Sequence, residues 1–434
     1  MALVLVLSLV MLARHVGGDG DGKFATMALG FILIVAALVG EAGEHVKLPR
    51  LTGYLLVGLG FGPSVLNLVT PAMANQIRLV NGLAVALIAF SAGMELDIAS
   101  LRGKLRGIVG HGAWLLALLF LGLLALTLAL TPVLPFTAGS PWPQRIAISL
   151  VLAAVMSTFS PTVAMAVLAE TRAKGPVSER ILQLVILGDL GVILIFTGAT
   201  TAARVLDGTG VDLYAAARHV SWEVTGSIAV GLAAGVGVYA YRRWVNHRTS
   251  LVLAGVCLVL AEVGSRIGLS PLIACLAAGF VARNAAPDAA HEMEELIGRV
   301  RLPVLVVFFA AAGASLHLHH FVTLAPLAVG LAVARAGLIF GSNRIAANRV
   351  RLAEPMASEV PFGLISQAGV SLGLAVIVGR EFGTWGKTLE TLFVATISLH
   401  ELIGPILFRN ALQRVGEIPS SAEATEAEPA HAAG

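Results

Sequence analysis

The stretch "LQLVILGDLGVILIF" (182–196) is apolar almost throughout and carries one carboxylate, Asp189, at its centre. Its flanks extend the run to about 179–203, which is long enough to cross a bilayer as a helix. An ionisable side chain at that depth is costly and marks an ion or proton path by default. A soluble core helix would not carry such a run, and a passive membrane anchor would not carry the acid.

Composition agrees with this reading over the whole chain. Of the 434 residues 57% are hydrophobic and only 13% charged. The mean hydropathy is +0.87. Soluble domains carry about 25% charged residues. The long apolar runs predict helices rather than the alternating strands of an outer-membrane barrel. Thirteen or fourteen spans are expected, the uncertain one being the short run near 3–14. Lys47, Arg50 and about two thirds of the 29 Lys and Arg residues fall on one side when loops are assigned alternately. The positive-inside rule makes that side the cytoplasm, and the C-terminus ends there. The expected setting is therefore a multi-pass plasma membrane, the inner membrane of a bacterium, with membrane lipid as the surrounding partner. A net charge of +3 reflects those loops and does not point to nucleic acid. Cys257 and Cys275 lie in apolar runs without metal-ligand spacing, so no metal and no cofactor is expected.

Two halves echo each other. "LTGYLLVGLGFGPSVLN" (51–67) resembles "LSPLIACLAAGFVARN" (269–284), and "IAFSAGMELDIASL" (88–101) resembles "VFFAAAGASLHLHHF" (307–321), both at an offset of about 220 residues. The chain divides accordingly into an extra hydrophobic segment and linker (1–24), a six-helix repeat (25–203), a linker helix (204–248), a second six-helix repeat (249–411) and a disordered cytoplasmic tail (412–434). An odd linker helix inverts the second repeat. Inverted repeats are the architecture of secondary transporters, whose sites lie at the repeat interface near the midplane. The tail is too short for a nucleotide-binding domain, so such control would need a separate regulatory subunit.

Each repeat carries a break signal at a matching place. "MSTFSPTVAM" (156–165) combines Ser157, Thr158, Ser160 and Thr162 with Pro161, which removes a backbone donor and clashes with the preceding turn. "GLISQAGVSLG" (363–373) combines Ser366, Gln367 and Ser371 with Gly369. Together they predict a crossed pair of discontinuous helices whose free carbonyls and hydroxyls face a cation. Asp189 then holds a proton or a small cation, and the two compete. Arg335 is a permanent charge within another span. It supports the site by holding a carboxylate or the carbonyl ends of the broken helices. Glu401, next to His400, occupies the repeat-related place of Asp189 and either pairs with Arg335 or titrates as a second group. Glu95, Asp97, His111, Glu262 and the "HLHH" cluster (317–320) read as span-end, packing or loop residues.

The motifs "LTGYLLVGLGFGPS", "ALIAFSAGMELDIASLR", "STFSPTVAMAVLAETRAKGPVSERILQLVILGDLGVILIF", "LIACLAAGF", "VFFAAAGASLHL" and "GLISQAGVSLGLAV" follow in order over nearly all of 25–411. Together they resemble the sodium/hydrogen exchanger domain of the monovalent cation:proton antiporters, nearest the bacterial cation:proton antiporter-2 group. The resemblance implies a homodimer, with spans 2–4 and 9–11 as dimerisation domain and spans 5–7 and 12–14 as mobile core. It also implies that Asp189 binds cation and proton and that Arg335 is the basic residue of the core. The chain departs from the pattern at three places: Gly188 precedes Asp189 where a polar residue is common, Phe159-Ser160-Pro161 stands where many members have Thr-Asp-Pro, and Leu184 stands where some have Glu. One titrating site opposite an arginine implies electroneutral exchange of one Na+ or K+ for one H+. The same fold also suits a sodium-coupled symporter of an organic solute or a non-transporting membrane sensor. An enzyme is disfavoured: H-E-x-x-H does not occur, and the G-x-S-x-G match GVSLG (369–373) falls within a membrane span.

Overall fold

The computed structural model describes residues 30, 33–42, 50–62, 65–66, 71–95, 98, 105–134, 136–137, 139–207, 218, 221–245, 249–285, 303–311, 313–314 and 318–419. The segment 1–24, Asp97, most of the 420–434 tail and the side chains of Glu95 and the 317–320 histidines lie outside what is described.

The helices in chain order are α1 (Arg50–Phe61), α2 (Pro71–Glu95), α3 (Leu105–Leu130), α4 (Trp142–Met156), α5 (Pro161–Thr171), α6 (Pro176–Leu206), α7 (Ser227–Trp244), α8 (Thr249–Arg266), α9 (Pro271–Ala285), α10 (Leu318–Arg349), the short α11 (Glu354–Ser358) and α12 (Val360–Gly363), α13 (Gly369–Glu381) and α14 (Gly383–Arg414). Further helical stretches cover 33–42 and 303–311. No strand occurs among the described residues. Among the described residues six spans are long and apolar enough to cross a membrane: α3, α4 continued through α5, α6, α7 with the π-helical turn before it, most of α10 and most of α14. The chain is thus an all-α, multi-pass membrane protein, as composition predicts.

The helices gather around two apolar cores. In one, α2, α7, α8 and α9 pack together through Phe90, Met94, Leu253, Cys257 and Cys275. In the other, α4 and α6 pack against α3, and α10, α13 and α14 close the remaining sides. The α4–α5 span is the most enclosed. Its most apolar window is 89% buried, against 28% for α3, whose residues Val109, Trp114 and Leu121 stay exposed on a lipid-suited face.

Glycine sets the closest approaches, and these follow the sequence repeat. A side chain at Gly58 of α1 would collide with the Ala310 carbonyl, and one at Gly313 with the Leu55 carbonyl. About 220 residues away in each partner, Gly279 of α9 lies on the Phe90 carbonyl and Gly93 of α2 on the Leu276 carbonyl. Small residues let membrane helices approach backbone to backbone, and both halves use the device at equivalent places.

Candidate transport site at the helix breaks

The first break lies between α4 and α5. Met156 ends α4, and the Ser157 and Thr158 amides make tight bonds to Ala154 O (3.2 Å) and Val155 O (3.3 Å). Pro161 occupies the first turn of α5, where its missing N–H costs nothing. Ser160 caps that helix by accepting from the Val163 amide at 3.2 Å. Its hydroxyl also lies 3.1 Å from that of Thr162, while Ser157 donates back to Ala153 O at 2.7 Å. The second break, residues 364–368, separates α12 from α13, which begins at Gly369. Both interruptions fall where the Pro and Gly signals place them.

Broken helices leave carbonyls without amide partners, and in lipid those must be satisfied internally. Arg335 of α10 does this for both breaks. Its side chain is fully buried, and it donates to Met156 O (2.7 Å) and Thr158 O (2.6 Å) of the first break and to Ile365 O (2.7 Å) of the second. A longer contact reaches Leu364 O at 3.4 Å. The planar fork of a guanidinium suits several acceptors at once, and the C-terminal ends of helices attract positive charge. Of the two roles open to Arg335 in the sequence, the structure shows the second: it holds carbonyl ends. Among the described residues it forms no ion pair with Glu401 or Asp189.

A chain of polar side chains ties the breaks together. Gln367 donates from Nε2 to Thr158 Oγ1 at 2.7 Å and to Val155 O at 3.3 Å. The hydroxyls of Thr158 and Ser371 lie 2.5 Å apart. His400 of α14 donates from Nδ1 to Gln367 Oε1 at 2.9 Å, and its Nε2 lies 3.3 Å from Ala332 O, one turn from Arg335. Thr158, Gln367 and Ser371 are each fully buried. The breaks, α13, α14 and α10 therefore share one hydrogen-bonded centre.

Asp189 sits beside it on α6. It is 5% exposed, and Oδ1 has no hydrogen-bond partner among the described residues. The adjoining Gly188 faces the first break so closely that a Cβ there would lie 2.8 Å from Phe159 Cδ2. Glu401 is 1% exposed and its Oε2 is likewise unpartnered. Buried carboxyl oxygens without partners are expensive, which makes both groups candidates for holding a proton or an ion. A cavity of about 390 Å³ is lined by Phe159, Ser160, Thr162 and Ala368 of the breaks together with Glu262 and Ser270. Among the described residues no cluster of His, Cys, Asp or Glu is placed to hold a metal ion by itself.

The structure thus brings together Ser157, Thr158, Ser160, Pro161, Arg335, Gln367 and Gly369 at the breaks, with Asp189 next to them through Gly188 and Glu401 next to His400. His400, named in the sequence only as the neighbour of Glu401, joins the centre through its hydrogen bond to Gln367. Two further buried contacts were not foreseen. His111 Nε2 donates to Asn343 Oδ1 at 3.0 Å, and Asn343 donates to the Met356 and Ala357 carbonyls. Glu417 caps the first turn of α6. No short-range signal announces either, because the partners lie far apart in sequence.

Comparison with known proteins agrees with this geometry. The family described as "Sodium/hydrogen exchanger, transmembrane" matches residues 30–413. K(+) efflux antiporter 4 of Arabidopsis thaliana is 25% identical over 418 residues, covering 90% of this chain and 66% of the relative. K(+) efflux antiporter 6 of the same organism is 23% identical over 405 residues, covering 87% and 62%. The chain therefore spans less than two thirds of the length of these curated relatives. In fold it is similar to the sodium proton antiporter MjNhaP1 from Methanocaldococcus jannaschii at pH 8, with a TM-score of 0.65, 16% identity, and coverage of 91% of this chain and 99% of that one.

Proposed function

Because the chain belongs to the sodium/hydrogen exchanger family of membrane transporters, we propose that it exchanges a monovalent cation, Na+ or K+, for H+, with Asp189 as the group over which the two compete. The observation that carries this reading is the unpartnered Asp189 oxygen, whose neighbour Gly188 packs on the first of two helix breaks that Arg335 joins. A carboxylate so placed must find a counter-ion, and a proton or a bare cation serves equally. Ser157, Thr158, Ser160 and Gln367 are its neutral polar companions. Arg335, Pro161, Gly369 and Glu401 keep the breaks in place. Exposure of Asp189 to each side in turn converts competition into exchange. The domains are those expected from sequence, with 25–203 and 249–411 as inverted repeats around the 204–248 helix. The protein is proposed to be a homodimer in a bacterial inner membrane with its C-terminus in the cytoplasm.

The relatives named as K(+) efflux antiporters favour K+, whereas the fold neighbour is named a sodium proton antiporter. Both ions belong in the test. Proteoliposomes loaded with a pH-sensitive dye and an acid interior are given Na+ or K+, for the wild type and for Asp189→Asn. A cation-dependent fluorescence recovery is expected for the wild type, and the asparagine variant is expected to match empty liposomes. Recovery in neither, from protein that is monodisperse in detergent, disproves the antiport reading and leaves the symporter or sensor. Recovery that survives in Asp189→Asn moves the site elsewhere.

A further inference from the structure

Phe159 and Gly188 are both departures from the expected pattern, and the structure places them against each other. Phe159 belongs to the first break and is 1% exposed. Its ring edge lies so close to the Gly188 Cα that a methyl group there would meet Cδ2 at 2.8 Å. Phe159 also lines the 390 Å³ cavity, with Ser160 and Ala368. Asp189 does not line that cavity. Phe159 therefore adjoins both the cavity and the backbone next to the carboxylate. We infer that Phe159 is the gate of the Asp189 site on the cavity side, and that Gly188 is the recess into which the ring closes.

Three physical points support this. An apolar ring across a narrow passage excludes a hydrated ion by dewetting. A phenylalanine in an irregular segment can swing about χ1 without breaking a hydrogen bond, unlike Thr158, which is bonded on both sides. The recess needs a glycine, because any side chain at 188 would hold the ring out. The two residues are thus one unit, the ring filling the space that the glycine leaves. Passage to Asp189 then requires motion of one side chain. This inference rests on Asp189 being the ion site, but its test reads access, not transport.

In a background in which Cys257 and Cys275 are alanine, Asp189→Cys is labelled in detergent by the small cation aminoethyl methanethiosulfonate, with and without Phe159→Ala. Asp189 intact in the same background is the control. Removing the ring is expected to speed labelling at least tenfold. Equal rates, fast or slow, overturn the gate, because then the ring is not what bars the path. Phe159→Leu carries the same comparison if the alanine variant does not fold, with a smaller acceleration expected. Should the gate fail here while Asp189→Asn abolishes exchange in liposomes, the transport reading stands alone. Should the gate hold while the wild type moves no ion, only the transport reading falls.

Discussion

Arg335 shows how one side chain decides whether two broken helices can exist in lipid. Its donors go to carbonyls of both breaks, and no described carboxylate shares them. A lysine is a point charge with three donors and no planar fork, so it reaches fewer of these oxygens. Arg335→Lys is expected to fold with transport retained in part and with stability lowered by about 1–3 kcal/mol, the range for losing a charged hydrogen bond. Arg335→Met removes every donor and leaves the carbonyls buried and unmet, at a cost of about 3–5 kcal/mol or more. Size-exclusion profiles of heated, detergent-solubilised protein check both, with the methionine variant aggregating at the lower temperature. If Arg335→Met were as stable as wild type, the carbonyl contacts would not be what holds the breaks. Position 335 was legible as a supporting charge because a lone arginine in an apolar run has few other uses. Its choice of carbonyls over Glu401 was not, since hydropathy says nothing about direction.

At the scale of elements, α6 matters most because it carries Asp189. It starts at Pro176 with Gly175 at its N-cap, a residue with no side chain to offer the first amides. The cap comes instead from beyond the end of α14. Glu417 accepts from the Val177 and Ser178 amides at 2.7 Å each and from the Ser178 hydroxyl at 2.5 Å, while its own carbonyl accepts from the Lys174 amide at 3.0 Å. An anion at a helix N-terminus meets both the free donors and the dipole. Glu417→Ala is expected to cost about 1–2 kcal/mol and to raise amide hydrogen exchange in 174–180 selectively, with the α10 amides around Arg335 unchanged. Uniform protection in the variant would show that the cap is not needed. Helix existence was readable from apolar runs, and helix breaks from Pro161 and Gly369, because these are local properties of the backbone. The Glu417 cap spans 240 residues of chain, and the Gln367–His400 and His111–Asn343 pairs also join distant helices. Such contacts leave no periodicity behind. Residues 412–419, assigned from sequence to the tail, are described: α14 runs to Arg414, and Glu417 is held at the start of α6.

On the scale of the whole molecule the open quantity is charge moved per cycle. One cation exchanged for one proton at Asp189 moves none. A second proton site would make each cycle electrogenic, and the structure contains one group able to supply it. Glu401 is buried, lies beside His400, and has an oxygen without a partner, as Asp189 does. Its neighbourhood differs, however. Asp189 borders the first break through Gly188 and Phe159, and that break reaches the cavity. Glu401 follows His400 on α14, where Gly404 packs directly on Ser366 of the second break, and neither carboxylate lines the cavity. Glu401 is expected to keep its proton through the cycle, so exchange is expected to be electroneutral. A membrane potential of 100 mV acts on each net charge with about 2.3 kcal/mol, roughly a fiftyfold bias. Imposing such a potential of either sign on proteoliposomes, with ionophores absent from the antiport phase, is expected to leave the pH gradient at equilibrium equal to the cation gradient. A gradient that follows the potential in wild type but not in Glu401→Gln would instead assign the second proton to Glu401, and the one-for-one ratio would be wrong.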